Sequence, residues 1–430
     1  MRSARAPATP AWEIGYLVDV RGVLTRASAV LDRGVVRLME RRITAAARMA
    51  RGTQAPAPHA ADGPRPAPLE GGLDPALDLA LDPDAARRQM AELARAYGDG
   101  TLGLPSRFFL APDEPVVQLA PAGGGPLRTH VVDLSYRSDY EPFLPAAREL
   151  HLRATANLTA HVRWWTSGRG RPVLVVLHGW AGGHHWVTER TFAVEYWLRH
   201  GWDVAAFVLP FHGDRAPGSH PLRSGALFPS TNPVRTNEGF GQAIHDLRAL
   251  SRFLRGRGAP AVGALGMSLG GYTTALWASV AGPDDVGGID FAVAMIPAVS
   301  MARLMWRHGA NSPERARAVK AGITEDLLAA AFAVHTPTTR PARPARDRLF
   351  VIGGRGDRVT PPEQAEALAA HWGVEVRWFD GGHLAQLGRG EVLRDVRRAL
   401  GRLGFAGRMF RGAPADRRAP AAALRSKDRA

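Results

Sequence analysis

Cysteine is absent from the 430 residues. Disulfides, thiolate metal sites and a cysteine nucleophile are therefore excluded, while the redox compartment is left open. Lysine is nearly absent too, occurring only as Lys320 and Lys427, so almost all the positive charge is arginine. Apolar runs are short. "FAVAMIPAV" at 291–299 is among the longest and falls well below a membrane span. The opening "MRSARAPATPAWEIGY" has no signal-peptide core. The expectation is a cytoplasmic protein.

What is present is a globular composition, with 45% hydrophobic and 22% charged residues. The net charge is +15, concentrated in 21–51 and 407–430. Such charge attracts phosphate or anionic lipid. Yet an arginine bias in a chain rich in Ala, Gly and Pro accounts for it equally, and no nucleic-acid module accompanies it. Nucleic acid is not an expected partner. Weak contact of the basic terminal segments with a membrane surface is kept as an expectation.

Residues 1–51 read as a helical extension, with Val20, Leu24, Leu31, Val35 and Leu38 near helical spacing. Residues 52–81 are a Pro/Ala-rich linker. Residues 82–149 read as a helical and irregular lead-in, beginning with a helix capped by Asp82. From 150 to 404, apolar strands alternate with helices, including a helix over 237–258 capped by Asn237. This rhythm predicts an α/β domain with a mostly parallel sheet and helices on both faces. Residues 300–346 interrupt the rhythm as a lid-like insertion, and 405–430 read as a disordered basic tail.

Within the domain, "GALGMSLGGY" (263–272) places Ser268 among glycines and fits G-x-S-x-G. With 47 glycines in the chain, the pattern alone proves little. Its context is informative: an apolar strand precedes it and a helix follows. A sharp strand–turn–helix needs small neighbours and leaves the serine hydroxyl exposed above the strand ends. A serine needs a base, and the base needs an acid to orient it. His383 in "FDGGHLAQL" and Asp357 in "GGRGDRVTPP" each follow a predicted strand. Asp380, three residues before His383, is a rival acid, although the loop position favours Asp357. "LHGWAGG" (177–183) follows an early strand and offers the Trp180 N–H, with that of Leu269, to a developing oxyanion. His178, Gly179, Met267, Phe211 and His212 are candidates to contact substrate. The pair His184–His185 has no carboxylate at ligand spacing, so neither a metal nor a cofactor is expected.

The order Ser268, Asp357, His383, together with "LHGWAGG", "PFHGDR", "GMSLGG", "GGRGDRVTPP" and "GGH", resembles the α/β-hydrolase superfamily in its esterase and lipase-like branches. The resemblance covers about 150–404 and says nothing specific about 1–149. It implies an α/β-hydrolase fold and a serine hydrolase that cleaves a carboxylic ester of a small-molecule or lipid-like substrate through an acyl-enzyme. A thioesterase, peptidase or acyltransferase on the same site remains open, as does an idle fold used for binding.

Overall fold

The computed structural model describes residues 25–26, 28–34, 36–37, 83–168, 170–218, 224–230 and 232–405. The linker 52–81, most of the extension and the tail beyond 405 lie outside the described residues, and with them most of the segments expected to touch a membrane. The described residues between 25 and 37 are helical (α1).

The strands are β1 (Gln118–Gly124), β2 (His130–Arg137), β3 (Thr159–Thr166), β4 (Val173–Leu177), β5 (Asp203–Phe207), β6 (Val262–Met267), β7 (Ala292–Met295), β8 (Leu349–Gly354) and β9 (Val376–Phe379). They form one sheet in the order β1-β2-β3-β5-β4-β6-β7-β8-β9. From β5 to β9 all pairings are parallel, while β1, β2, β3 and β5 pair antiparallel. The helices are α2 (Pro83–Gly98), α3 (Arg148–Arg153), α4 (His185–Thr191), α5 (Val194–Arg199), α6 (Pro233–Gly256), α7 (Leu269–Val280), α8 (Met301–His308), α9 (Pro313–Lys320), α10 (Glu325–Ala331), α11 (Pro362–Trp372) and α12 (Arg389–Arg402).

Strand β4 shows why the sheet is two-sided. Every residue of VLVVL is buried. Val173, Val175 and Leu177 join one core cluster with residues of α6, α7 and α11, whereas Leu174 and Val176 join a second with residues of α5 and α12. A strand covered on both faces reads as a continuous apolar run because successive side chains enter opposite cores. Each such side chain contributes roughly 1.5–3 kcal/mol of burial.

Two expectations are corrected. The lead-in is not only helical and irregular, since it supplies β1 and β2 and the sheet begins at Gln118. Strand β1, QLAPAGG, is an exposed edge strand whose Pro and Gly residues hide its period. Helix α6 starts at Pro233, with Asn232 as its cap accepting the Arg235 N–H at 3.0 Å. Asn237 instead lies inside the helix and donates to the Ala331 carbonyl at 2.9 Å. Among the described residues, no helix is long and apolar enough to cross a membrane.

Candidate active site

At the end of β6 the chain turns directly into α7. Ser268 sits in that turn at φ 58° and ψ −114°, a conformation an L-residue holds only under constraint. Its N–H donates to the Met295 carbonyl on β7 at 3.0 Å. The flanking glycines are dictated by backbone. A Cβ on Gly266 would lie 1.9 Å from the Gly270 carbonyl oxygen, and one on Gly270 would lie 2.0 Å from that of Leu177. No side chain fits at either position.

The parallel strands β7, β8 and β9 continue outward from β6, so the loops after β8 and β9 emerge at the same edge of the sheet. Asp357 and His383 lie in these loops and meet: His383 Nδ1 is 2.8 Å from Asp357 Oδ2. The other carboxylate oxygen accepts the N–H groups of Val359 and Thr360, both at 2.8 Å, so the acid is held at two points. Thr360 Oγ1 stands 3.0 Å from Asp357 Oδ2 and 3.2 Å from His383 Nδ1. The rival Asp380 faces Arg355 at 3.7 Å. Burial alone would push the His383 imidazole down, but the carboxylates of Asp357 and Asp32 outweigh it and the net direction is up. Gln386 links base to elbow, its Nε2 donating to the His383 carbonyl at 2.8 Å and lying 3.1 Å from Met267 Sδ.

Asp32 comes from α1, far from this loop in sequence. Its carboxylate accepts the N–H groups of His383 (2.7 Å), Leu384 (3.1 Å) and Arg358 (3.1 Å), joining the base loop to the acid loop. Thr25, on the same segment, donates to the Asp380 carbonyl at 2.8 Å. Neither residue carries a sequence signal that would have placed it here.

Ser268 opens onto a cavity of about 210 Å³. Trp180 and Leu269 also line it, and α8 and α10 of the insertion supply Met301, Leu304, Met305 and Leu328. Met90 of α2, Arg235 of α6 and Glu314 and Arg315 of α9 also line it. The Trp180 indole donates to the Gly225 carbonyl at 2.8 Å.

The residues expected to contact substrate are placed differently. None of His178, Gly179, Met267, Phe211 and His212 lines this cavity. His178 Nε2 accepts the Leu209 N–H at 3.1 Å and its Nδ1 faces the Gly179 carbonyl at 2.8 Å, so the ring braces the turn below Trp180. His212 is wholly buried, with Nδ1 2.8 Å from the Pro210 carbonyl. Phe211, at φ 60°, donates its N–H to Asn157 Oδ1 at 2.9 Å. Gly179 lies beside the nucleophile, since a Cβ there would be 3.4 Å from Ser268 Cβ. Arg215 ion-pairs with buried Asp246 at 2.8 Å rather than with its neighbour Asp214.

Comparison with known proteins agrees with this architecture. Residues 172–335 match the family described as the alpha/beta hydrolase fold, a span that contains Ser268. With the sheet just described, this gives the chain the α/β-hydrolase fold. An uncharacterized protein of Mycobacterium tuberculosis (strain CDC 1551 / Oshkosh) is 29% identical over 319 residues, 72% of this chain and 73% of the relative. Among solved structures, acetyl xylan esterase 1 from Thermoanaerobacterium sp. JW/SL YS485 is 14% identical with a TM-score of 0.43, covering 71% of this chain and 96% of that one. An esterase of Pyrococcus furiosus is 20% identical with a TM-score of 0.39, covering 57% and 86%.

Proposed function

We propose that the chain is a serine hydrolase that cleaves a carboxylic ester. The observation that carries this reading is the buried Asp357–His383 pair, 2.8 Å apart, on the loops beyond a strained Ser268 that opens onto an apolar cavity. A strained elbow and a carboxylate-oriented imidazole are costly to maintain and have a use together in acyl transfer.

In the proposed reaction Ser268 Oγ attacks the ester carbonyl carbon while His383 takes the hydroxyl proton. Asp357 holds the imidazole by Nδ1 and stabilises the imidazolium. The oxyanion is received by the N–H groups of Trp180 and Leu269. Collapse breaks the bond to the alcohol oxygen, which leaves with the proton from His383. Water then attacks the acyl-enzyme, giving a proton to His383; that proton returns to Ser268 as the acid departs. Each step conserves protons without a cofactor.

The test is covalent labelling by a fluorophosphonate, followed by an ester panel, for the native chain, Ser268→Ala and His383→Ala. Labelling and turnover confined to the native chain are expected. A folded native chain that neither labels nor turns over any ester would overturn the reading and leave the fold as a binding module.

A further inference from the structure

The cavity beside Ser268 is mostly apolar, and its charged lining includes Arg235, Glu314 and Arg315. Arg235 is only 7% exposed, yet among the described residues its guanidinium makes no ion pair or hydrogen bond, and Nη1 is buried without a partner. Among the described residues the guanidinium of every other buried arginine has at least one partner, although Arg215 Nε and Arg340 Nε and Nη1 have none. Arg215 has Asp246 and the Asn157 carbonyl, at 2.8 and 2.9 Å. Arg248 reaches the carbonyls of Phe109, Val286 and Leu110 at 2.9, 3.0 and 3.2 Å. Arg340 bonds the Val334 carbonyl and lies over the Phe109 ring.

Position compounds the cost. Arg235 stands in the first turn of the 24-residue helix α6, where the backbone dipole disfavours a cation and favours an anion. Burial pushes its pKa down, but a guanidinium remains charged at neutral pH. A buried charge without a partner is costly, and an anion arriving from outside would offset that cost. Of the other charged groups on the wall, the Glu314 carboxylate lies 3.1 Å from Arg317 on its own helix through Oε1, and the Arg315 guanidinium lies over the Trp306 ring.

We propose that Arg235 is an anion subsite of the cavity and receives a carboxylate carried by the substrate, the rest of which lies against Met301, Leu304, Met305 and Leu328. One guanidinium balances one negative charge, and its planar fork matches a carboxylate. The substrate class is then an ester with an apolar body ending in a carboxylate. This rests on the ester-hydrolase reading above for its chemistry, but not for its binding.

The experiment compares p-nitrophenyl esters of hexanoic, octanoic and decanoic acid with the mono-p-nitrophenyl esters of adipic, suberic and sebacic acid. Native chain and Arg235→Met are assayed, with Arg235→Gln as a second variant should the first not fold. Hydrogen bonds to a charged group predict that the native chain favours the carboxylate-ended ester at one chain length by about tenfold or more in kcat/KM. Arg235→Met is expected to erase that ratio. An unchanged ratio in the variants, or no native preference at any length, overturns the proposal.

A binding arm separates this from the catalytic reading. Calorimetry of Ser268→Ala with octanoate, suberate and octyl phosphate, repeated in Ser268→Ala/Arg235→Met, needs no turnover. Loss of carboxylate affinity of about tenfold in the double variant supports the subsite even where the ester panel is silent. Equal affinity in both overturns it, and tighter binding of octyl phosphate than of octanoate overturns the carboxylate assignment.

Discussion

The carboxylate of Asp32 accepts the backbone N–H of His383 at 2.7 Å, although 351 positions separate the two in sequence. The same carboxylate oxygen accepts the Arg358 N–H at 3.1 Å, so the N-terminal segment ties the base loop to the residue that follows Asp357. Asp32 lies behind His383 and acts through it. Asp32→Asn replaces a carboxylate with an amide that also presents donors to these N–H groups. Because the Asp32 charge helps to raise the His383 pKa, its removal lowers that pKa. The acid limb of the kcat/KM profile should move to lower pH, with a fall in kcat on the order of tenfold from misplacement of the imidazole. A purely structural role would lower the whole profile without moving its midpoint, and that result would sink the prediction.

Asp357 and Asp380 should respond unequally. Asp357 is fully buried, with one oxygen on His383 Nδ1 and the other on two backbone N–H groups. Asp380 faces Arg355 on a partly exposed surface. Asp357→Asn should therefore cost kcat on the order of 10³–10⁴, as loss of the correct tautomer does in such triads. Asp380→Asn should stay within about threefold of the native chain, because exposed pairs contribute little. Comparable losses in ester turnover would reverse the assignment of the acid.

The elbow glycines make a stability prediction. A Cβ on Gly270 would overlap the Leu177 carbonyl oxygen at 2.0 Å, and backbone cannot rotate away as a side chain can. Gly270→Ala should lower the unfolding free energy by about 3 kcal/mol or more. Gly103, with nothing within 4 Å of its Cβ position, is the control, and Gly103→Ala should change stability by less than about 0.5 kcal/mol. Urea unfolding of the pair measures both.

How much of this was legible in the sequence depended on whether a residue's role is local. Ser268, Asp357 and His383 stand out because each follows an apolar strand, and a parallel sheet delivers successive strand ends to one edge. Gly266 stands out because its constraint is overlap with the Gly270 backbone four residues on, and Gly270 because it completes the motif, although its own constraint is the distant Leu177 carbonyl. Asp32 and Arg235 were invisible for the opposite reason. Each is one acid or one arginine on an ordinary-looking helix, and its meaning comes from what packs against it across the fold. His178 and His212 misled the reading in the other direction. Their neighbourhood in "LHGWAGG" and "PFHGDR" suggests substrate contact, whereas both ring nitrogens of His178 and the Nδ1 of His212 are used by the Gly179, Leu209 and Pro210 backbone, and His212 Nε2 is buried without a partner among the described residues. Strand β1 was missed because an exposed edge strand has no apolar period to detect.

Those buried imidazoles predict acid sensitivity, and the sign can be worked out group by group. Burial pushes His178 down to about 4 and His335 down to about 3, with the Arg340 charge adding to the latter. An unfolded histidine titrates near 6.5. Between those values the unfolded chain binds protons that the native chain refuses, so stability is lost as pH falls from about 6.5 toward 4. His383 works oppositely: its raised pKa contributes stability that is full below 6.5 and disappears as pH rises through its folded value. Burial also holds His185 down to about 4 and pushes His212 well down, so the depressed histidines outnumber the raised His383 and leave a net loss in acid, on the order of 2 kcal/mol or more by pH 5. Denaturant unfolding at pH 7 and pH 5 measures it. His335 accepts or donates at one ring nitrogen only, 2.6 Å from the Tyr272 hydroxyl, while its Nε2 has no partner. His335→Gln removes the titration and keeps a polar group for Tyr272, so the drop between the two pH values should shrink by about 1 kcal/mol or more. A variant with the native pH dependence would show that the imidazole at 335 is not among the groups that protonate on unfolding.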